Sequence, residues 1–306
     1  MARHLLHRFL LTLPALWLVL TMVFLLIHIV PGDPVEQMLG EGAAPGQVAQ
    51  LRHLLGLDQP LHVQYGRYLG QILRGDLGQS FKFQAPVRHV IFERYPATLQ
   101  LAFLALLVCA AIAIPAGVLA AHRPGSATDR AVSVFSLFGL AVPNFALGPL
   151  LMALFSIQLG WLPVSGRGGP LHYVLPAATL GAALAAILTR MVRGAMLEEL
   201  SSDYVRTAHA KGLSTTTVLV RHALRNALIP IITILGLQFG TLLAGTIVTE
   251  TIFSWPGIGR LTVMAISSRD YPLLQGCILV IALSYVLVNL LTDIFYAFID
   301  PRVRLS

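Results

Sequence analysis

The sequence predicts an all-α polytopic membrane protein with six transmembrane helices. Of its 306 residues, 56% are hydrophobic and only 11% are charged, whereas soluble domains carry about 25% charged residues. The mean hydropathy is +0.75, which is too apolar for a single soluble core of this length. The composition excludes a disordered chain, a collagen, a coiled coil and almost every soluble enzyme. Membrane spans of about 20 apolar residues account for it.

Six stretches lack Asp, Glu, Lys and Arg and are long enough to cross a bilayer, for which roughly 17 to 25 residues are usual. They are Phe9–Val30, Ala97–Ala121, Ala131–Ile157, Tyr173–Thr189, Leu228–Thr249 and Gly276–Thr292. The first stretch follows two arginines, as a signal peptide would, but it lacks a small-residue cleavage site. We therefore expect it to be retained as a span.

The distribution of basic residues predicts the orientation, because cytoplasmic connections are rich in Lys and Arg. An even number of spans places both termini on one side. If the termini are cytoplasmic, the inner segments are 1–8, 122–130, 190–227 and 300–306. They contain twelve of the 21 Lys and Arg, against three in the short outer connections. We expect both termini to lie in the cytoplasm.

The long segment 31–96 has helical patterns of its own. Apolar residues recur at helical spacing from Pro60 to Leu73, and a shorter pattern from Val48 to Leu55 ends at Gly56. Gly75–Gly78 predicts a turn. The chain thus divides into residues 1–30, a helical extracytoplasmic cap at 31–96, and a five-span core at 97–306.

The inner segment 190–227 predicts two helices. Ser202 and Asp203 can cap a short helix that stops at Gly212, and Ser214 can cap a second helix over Thr215–Ala227. Tyr204, Thr207, Ala208 and Lys211 share one face of the short helix. Isolated helices of fewer than about 12 residues are marginal in water, so we expect this one to dock into a partner's groove. A solvated loop is the alternative.

Sequence motifs for chemistry within this chain are missing. There is no G-x-x-x-x-G-K-[S/T] phosphate-binding loop, no H-E-x-x-H and no G-x-S-x-G. Cys109 and Cys277 fall inside apolar stretches, which predicts buried thiols and no disulfide framework or metal cluster. We expect no catalytic, cofactor-binding or metal-binding residues, which disfavours a membrane enzyme.

Polar residues in or near the spans are candidates for a translocation path, because ionisable groups are costly in hydrocarbon. His28, Arg190, Glu250 and Asp293 lie near span ends, where snorkelling is the alternative. Five of the six spans contain a proline, which is typical either of interrupted helices along a pathway or of kinks absorbed by packing. The candidates for the path are Asn144, Gln238, Glu250 and Asp293.

Several stretches in order form a recognisable set. They are Pro31-Gly32-Asp33-Pro34, Leu55–Pro60, Gly75–Gly78, Asp203–Leu213, His222–Ala227, Thr249–Arg260, Arg269–Pro272 and Asp300-Pro301-Arg302. With them the chain resembles, over nearly its whole length, the permeases of binding-protein-dependent ABC importers, in the dipeptide and oligopeptide branch. The Glu of the general permease motif is absent, and His209 stands where this branch often has Arg.

The resemblance implies the type I ABC importer permease fold, a place in a prokaryotic inner membrane and a set of partners. A second, related permease would complete the path, two ATPase subunits would bind ATP and magnesium, and an extracytoplasmic binding protein would deliver a dipeptide, an oligopeptide or glutathione. The residues that would couple this chain to the ATPases are Tyr204, Arg206, Thr207, Ala208, Lys211, Gly212 and Arg225. Nickel import is an alternative within the family. Outside it, Glu250 or Asp293 could carry protons in a secondary transporter, and an intramembrane hydrolase is a third option.

Overall fold

A computed structural model of the chain describes residues 2–29, 35 and 44–299, and these are mostly helical. A two-stranded antiparallel hairpin, β1 (Gln79–Ser80) and β2 (Ala85–Pro86), lies among the helices. In chain order the helices are α1 (Ala2–Ile29), α2 (Pro45–Leu55), α3 (Leu61–Leu73), α4 (Val87–His122), α5 (Ala127–Ala141), α6 (Asn144–Met152), α7 (Leu171–Leu200), α8 (Asp203–Ala210), α9 (Thr215–Gly245), α10 (Ile247–Ile252), α11 (Ile258–Ser267) and α12 (Tyr271–Ile299).

Four of these helices, α4, α7, α9 and α12, are long and apolar enough to cross a membrane. They contain all or most of the second, fourth, fifth and sixth predicted spans. The first predicted span lies in α1, whose described apolar part, Thr12–Leu25, is shorter than a full span. The third is divided between α5 and α6, which a π-helical segment extends over Ala153–Gln158. By length and composition, four helices among the described residues are full spans, and the count of six stays a prediction.

The third predicted span is divided at a proline. Pro143 follows Val142, whose backbone is extended with φ −84° and ψ 115°. A proline ring disfavours helical backbone at the residue before it, and here α5 ends at that residue and α6 begins at Asn144. A proline can also start a helix without loss, because the first turn leaves its N–H groups unpaired.

The fifth predicted span differs from the structure at both ends. The predicted inner helix Thr215–Ala227 and the predicted span Leu228–Thr249 form one continuous helix, α9, with a π-helical turn at Val218–Ala223. Pro230 lies inside α9, as proline can in membrane helices when neighbouring groups satisfy the freed carbonyl. The helix ends at Gly245, so Thr249 belongs to the separate helix α10.

Close approach of α4 and α7 forms the centre of the fold. A Cβ atom on Gly181 would lie 2.6 Å from the carbonyl oxygen of Ala105, and one on Gly117 would lie 2.6 Å from Val192. Small residues at such contacts let helix backbones approach, which supplies packing that the hydrophobic effect cannot supply within lipid. Cys109 is buried in this layer, and α9 packs against the same pair of helices.

The predicted cap helices are confirmed as helices. Gly56 ends α2 in the left-handed conformation with φ 68°, and Pro60 precedes α3. Helix α3 packs against α1, where Tyr65 accepts or donates a 2.7 Å hydrogen bond with Thr21 and its ring lies edge-on to that of Phe24. Residues 87–96, which the sequence assigns to the cap, form the first turns of α4.

The β-hairpin was not predicted from the sequence, and a distant carboxylate anchors it. Asp270 is fully buried, and its Oδ2 accepts hydrogen bonds from Ser80 Oγ at 2.6 Å and from the Lys82 backbone N–H at 3.0 Å. Asp270 also accepts from the backbone N–H of Leu273 at the start of α12. A single side chain therefore fixes the hairpin to the beginning of the last helix.

Candidate coupling segment and translocation residues

The short helix of the inner segment forms as predicted, from Asp203 to Ala210. Ser202 occupies the N-cap position with an extended backbone, but its side chain makes no capping hydrogen bond to the helix. At the other end Gly212 is left-handed with φ 80°, and the Leu213 backbone N–H donates to the Ala208 carbonyl at 3.3 Å. This pattern is a glycine stop, because other residues rarely adopt that conformation.

One face of α8 docks onto the same chain. Val205 and Ala208 are buried, and they form a small apolar cluster with Val218 at the start of the π-helical turn and with Leu200 at the end of α7. The expectation that Ala208 faces a partner is therefore wrong: only 7% of it is exposed. An eight-residue helix cannot persist in water by itself, and this cluster supplies the tertiary support that it needs.

The opposite face of α8 is open. Four of the predicted coupling residues, Tyr204, Arg206, Thr207 and Lys211, are exposed, as is Arg225 on α9. Arg206 pairs with Asp203 at 3.3 Å, and the Tyr204 hydroxyl donates to Glu199 at 2.5 Å. Partial burial, together with the Glu199 bond, raises the pKa of Tyr204. The buried face of α8 holds the helix in place, and the exposed face presents hydroxyl groups and cations to solvent.

The sequence did not indicate a partly buried ion pair near this segment. Arg193 on α7 donates two hydrogen bonds to Asp129 of α5, at 2.6 and 2.8 Å, and Asp129 also accepts from the Gly125 backbone N–H at 2.9 Å. The Arg193 guanidinium holds the pKa of Asp129 at about 2. Ser126, three residues before Asp129, accepts from its backbone N–H. The spacing of Ser126 and Asp129 is typical of a helix N-terminus and was the available signal in the sequence. It does not identify Arg193 as the ion-pair partner.

Glu250, a translocation candidate, is instead enclosed in a structural network. Its carboxylate is fully buried and accepts hydrogen bonds from Thr98 Oγ1 at 2.7 Å, Thr246 Oγ1 at 3.1 Å and the Arg260 backbone N–H at 2.9 Å. A Cβ atom on Gly257 would collide with this carboxylate. The glycine therefore leaves room for an acid that ties α10 and α11 to α4. A proton carrier needs access to water, which this site does not give to Glu250.

The other three path candidates lie on different helices. Gln238 of α9 is buried and accepts a weak hydrogen bond from Cys109 Sγ of α4 at 3.5 Å. Asn144 begins α6 just after the helix break, and its side chain lies outside the described residues. Asp293 is half-buried in α12. Arg190 is exposed on α7, and the side chain of His28 is outside the description.

Two family profiles cover nearly the whole chain. One, described as the binding-protein-dependent transport system inner membrane component, matches residues 113–305, and its N-terminal companion matches residues 1–102. The chain belongs to this family. It is therefore a permease component of a binding-protein-dependent transport system, and its apolar helices place it in a membrane.

Relatives of this permease are similar to it in sequence over nearly the full length of both chains. The glutathione transport system permease protein GsiC of Salmonella paratyphi A is 44% identical over 99% of both chains. The protein of the same name from Escherichia coli K12 is 42% identical over the same share. Because the match covers 99% of both chains, residues 31–96 and the rest of the permease both have counterparts in these proteins.

Solved structures show the fold of the permease core. An inward-facing form of the MetNI methionine ABC transporter superposes with a TM-score of 0.57 and 18% identity, covering 70% of this chain and 97% of that one. An amino acid ABC transporter solved with histidines gives 0.51 at 15% identity, covering 70% and 94%. The permease thus shares the fold of ABC importer subunits, and about a third of its length lies outside the shared part.

Two motifs of the permease cannot be compared with the structure. Pro31-Gly32-Asp33-Pro34 and Asp300-Pro301-Arg302 lie outside the described residues. Within the part that is described, no group of three or more His, Cys, Asp or Glu is close enough to hold a metal ion.

Proposed function

We propose that this permease is one of two membrane subunits of an ATP-driven importer for glutathione or a related small peptide. The substrate is inferred from the 44% identity, over 99% of both chains, with a permease named for glutathione transport. The chain has no phosphate-binding loop in its sequence, so ATP and magnesium would be bound by two partner ATPase subunits. An extracytoplasmic binding protein would deliver the peptide, and a second permease would complete the path.

We assign the coupling of ATP hydrolysis to the exposed face of α8. Its support is the geometry: Val205 and Ala208 hold the helix on the protein, while Tyr204, Arg206, Thr207 and Lys211 remain open. Arg225 of α9 adds a further exposed cation. Helices that are anchored on one face and exposed on the other suit insertion into a partner's groove. Gly212 and Ala208 act within the chain by ending and seating this helix.

The proposed topology has six crossings, with both termini and α8 in the cytoplasm and the cap outside. It rests on the excess of Lys and Arg in the inner segments. Single cysteines at Gly70 and Thr216, introduced into a variant in which Cys109 and Cys277 are alanine, would test it. An impermeant maleimide applied to intact spheroplasts should label position 70 but not position 216. Labelling of position 216 alone would overturn the topology.

Uptake by the reconstituted complex tests the function itself. The permease, the second permease, the ATPases and the binding protein should import radiolabelled glutathione into proteoliposomes only when ATP is present on the ATPase side. Leaving out the binding protein should abolish the uptake. Uptake that follows an imposed proton gradient without ATP would overturn the proposal, and uptake of nickel in place of glutathione would replace its substrate.

A further inference from the structure

Three side chains, Gln100, Tyr173 and Trp255, hold the guanidinium of Arg167. Arg167 Nη2 donates to Gln100 Oε1 at 2.6 Å, and its Nε donates to the Tyr173 hydroxyl at 3.3 Å. Tyr173 in turn donates to Gln100 Oε1 at 3.1 Å. The guanidinium carbon is 5.9 Å from the ring centroid of Trp255, which the Tyr173 ring meets edge-on.

The base of this cluster is rigid. Trp255 is fully buried, and its indole N–H donates to the Ala97 carbonyl at 3.0 Å. Three chain segments that are distant in sequence, α4, the start of α7 and the loop after α10, therefore meet beneath one arginine. A guanidinium that is oriented before it meets a ligand loses less side-chain entropy on binding than a free one.

The charge of Arg167 is not balanced nearby. The arginine is exposed, and no carboxylate within the described ranges lies at ion-pair distance from it. Its hydrogen bonds to Gln100 and Tyr173 occupy Nε and one N–H of Nη2, so donors of the planar fork remain. Such a fork matches a carboxylate or a phosphate in a two-point contact.

The same arginine lines a cleft between α4 and α7. The cleft has a volume of about 970 Å³, which is in the range of small-molecule sites. Its polar end consists of Arg167, Gly168, Gly169 and Tyr173. Its walls are apolar and come from α4 and α7, namely Leu104, Leu107, Val108, Val174, Ala177 and Ala178.

We propose that Arg167 binds the C-terminal carboxylate of the transported peptide at the outer end of this cleft, with Gln100 and Tyr173 as the residues that position it. The inference rests on the proposed function and orientation, which put the connection 158–172 outside. A peptide enters from that side with at least one carboxylate, which must leave water before the apolar walls can take the rest. A fixed cation at this point offsets that desolvation.

Import of two matched probes tests the inference. Proteoliposomes of the full complex would import radiolabelled glutathione or its glycyl monoethyl ester, which lacks one carboxylate, at saturating binding protein. Arg167→Gln should lower glutathione import about tenfold and ester import much less. Arg167→Lys should fall between Gln and the natural chain, since it keeps the charge but not the fork. Because every arm uses the same binding protein, its own preference cancels in the ratio of variant to natural permease.

The control is Arg88→Gln, which removes an exposed arginine at the start of α4, away from the cleft; its import should match that of the natural permease. Equal losses for both probes in Arg167→Gln, or no loss for either, would overturn the inference and leave the proposed function standing. If the natural complex imports neither probe, the proposed function fails and the inference with it. A phospholipid phosphate is the other anion that fits the site. Loss of co-purified phospholipid from the Arg167→Gln variant, with unchanged import, would also overturn the inference.

Discussion

Replacing Gly212 tests how far the stop of α8 controls binding of the ATPases. Gly212 has φ 80°, and nothing lies within 4 Å of the position that a Cβ atom would take. The penalty of a side chain is therefore due to the backbone alone, about 1 kcal/mol for alanine and about 2 kcal/mol for the β-branched valine. Asparagine tolerates the left-handed region and should cost little.

These penalties set an upper limit on the loss of affinity. A cost of 1 to 2 kcal/mol lowers the docked fraction of a marginal helix by about 5- to 30-fold, and the apparent Kd rises by the same factor when only the docked helix binds. We expect the Kd of the ATPase for the permease in nanodiscs to rise by up to about 5-fold for Gly212→Ala and 30-fold for Gly212→Val. Gly212→Asn should stay close to the natural chain.

Interferometry with immobilised nanodiscs measures the Kd, and hydrogen exchange of residues 203–210 reports docking of the helix. Gly194→Ala is the matched control: it adds the same methyl group within α7, where a Cβ atom also meets nothing within 4 Å and φ is ordinary. It should leave both measurements unchanged. Equal Kd values for the Asn, Ala and Val variants at position 212 would refute the reasoning, because they would show that the left-handed backbone does not matter.

Three further predictions concern α8, Glu250 and Asp129. Arg206→Glu should weaken ATPase binding while residues 203–210 remain protected from hydrogen exchange. Ala208→Glu should weaken binding and also abolish that protection. The same exchange pattern in both variants would contradict the orientation of α8. Glu250→Gln puts an amide N–H₂ among three hydrogen-bond donors and should lower the Tm of the purified permease by roughly 5 °C, with the exposed Glu198→Gln as a control that leaves the Tm unchanged. Because the pKa of Asp129 is lowered to about 2, its ion pair should keep its full effect above the usual value of 3.8 and lose it as the pH falls through about 2. Protection of the first backbone N–H groups of α5 from hydrogen exchange, corrected for the intrinsic pH dependence of exchange, should therefore stay constant between pH 7 and 4. A loss of protection near pH 5 would contradict the pairing.

Local features of the sequence determined much of the architecture. Apolar stretches predicted the long helices, since span length depends on bilayer thickness and composition alone. The stops at Gly56 and Gly212 were also predictable, because a left-handed backbone is a property of one residue and its neighbours. The extent of α8, from Asp203 to Ala210, followed from the same kind of local signal.

Prolines show where local reasoning ends. Pro143 breaks a predicted span, whereas Pro230 lies within the continuous helix α9. The difference depends on whether surrounding helices and backbone adjustments satisfy the groups that a proline leaves unpaired. No rule for the single residue contains that information, so two similar prolines had different consequences.

Only the tertiary structure decided which polar residues form sites. Glu250 meets Thr98 across 152 residues of sequence, Asp270 meets Ser80 across 190, and Arg167 meets Gln100 across 67. Ala208 was expected on an outer face, yet its helix turns that side toward Val218. The sequence sets which residues share a face of a helix, but the direction of that face depends on what packs against it. For this permease, composition and local geometry specified the helices, and contacts between distant segments specified what their side chains do.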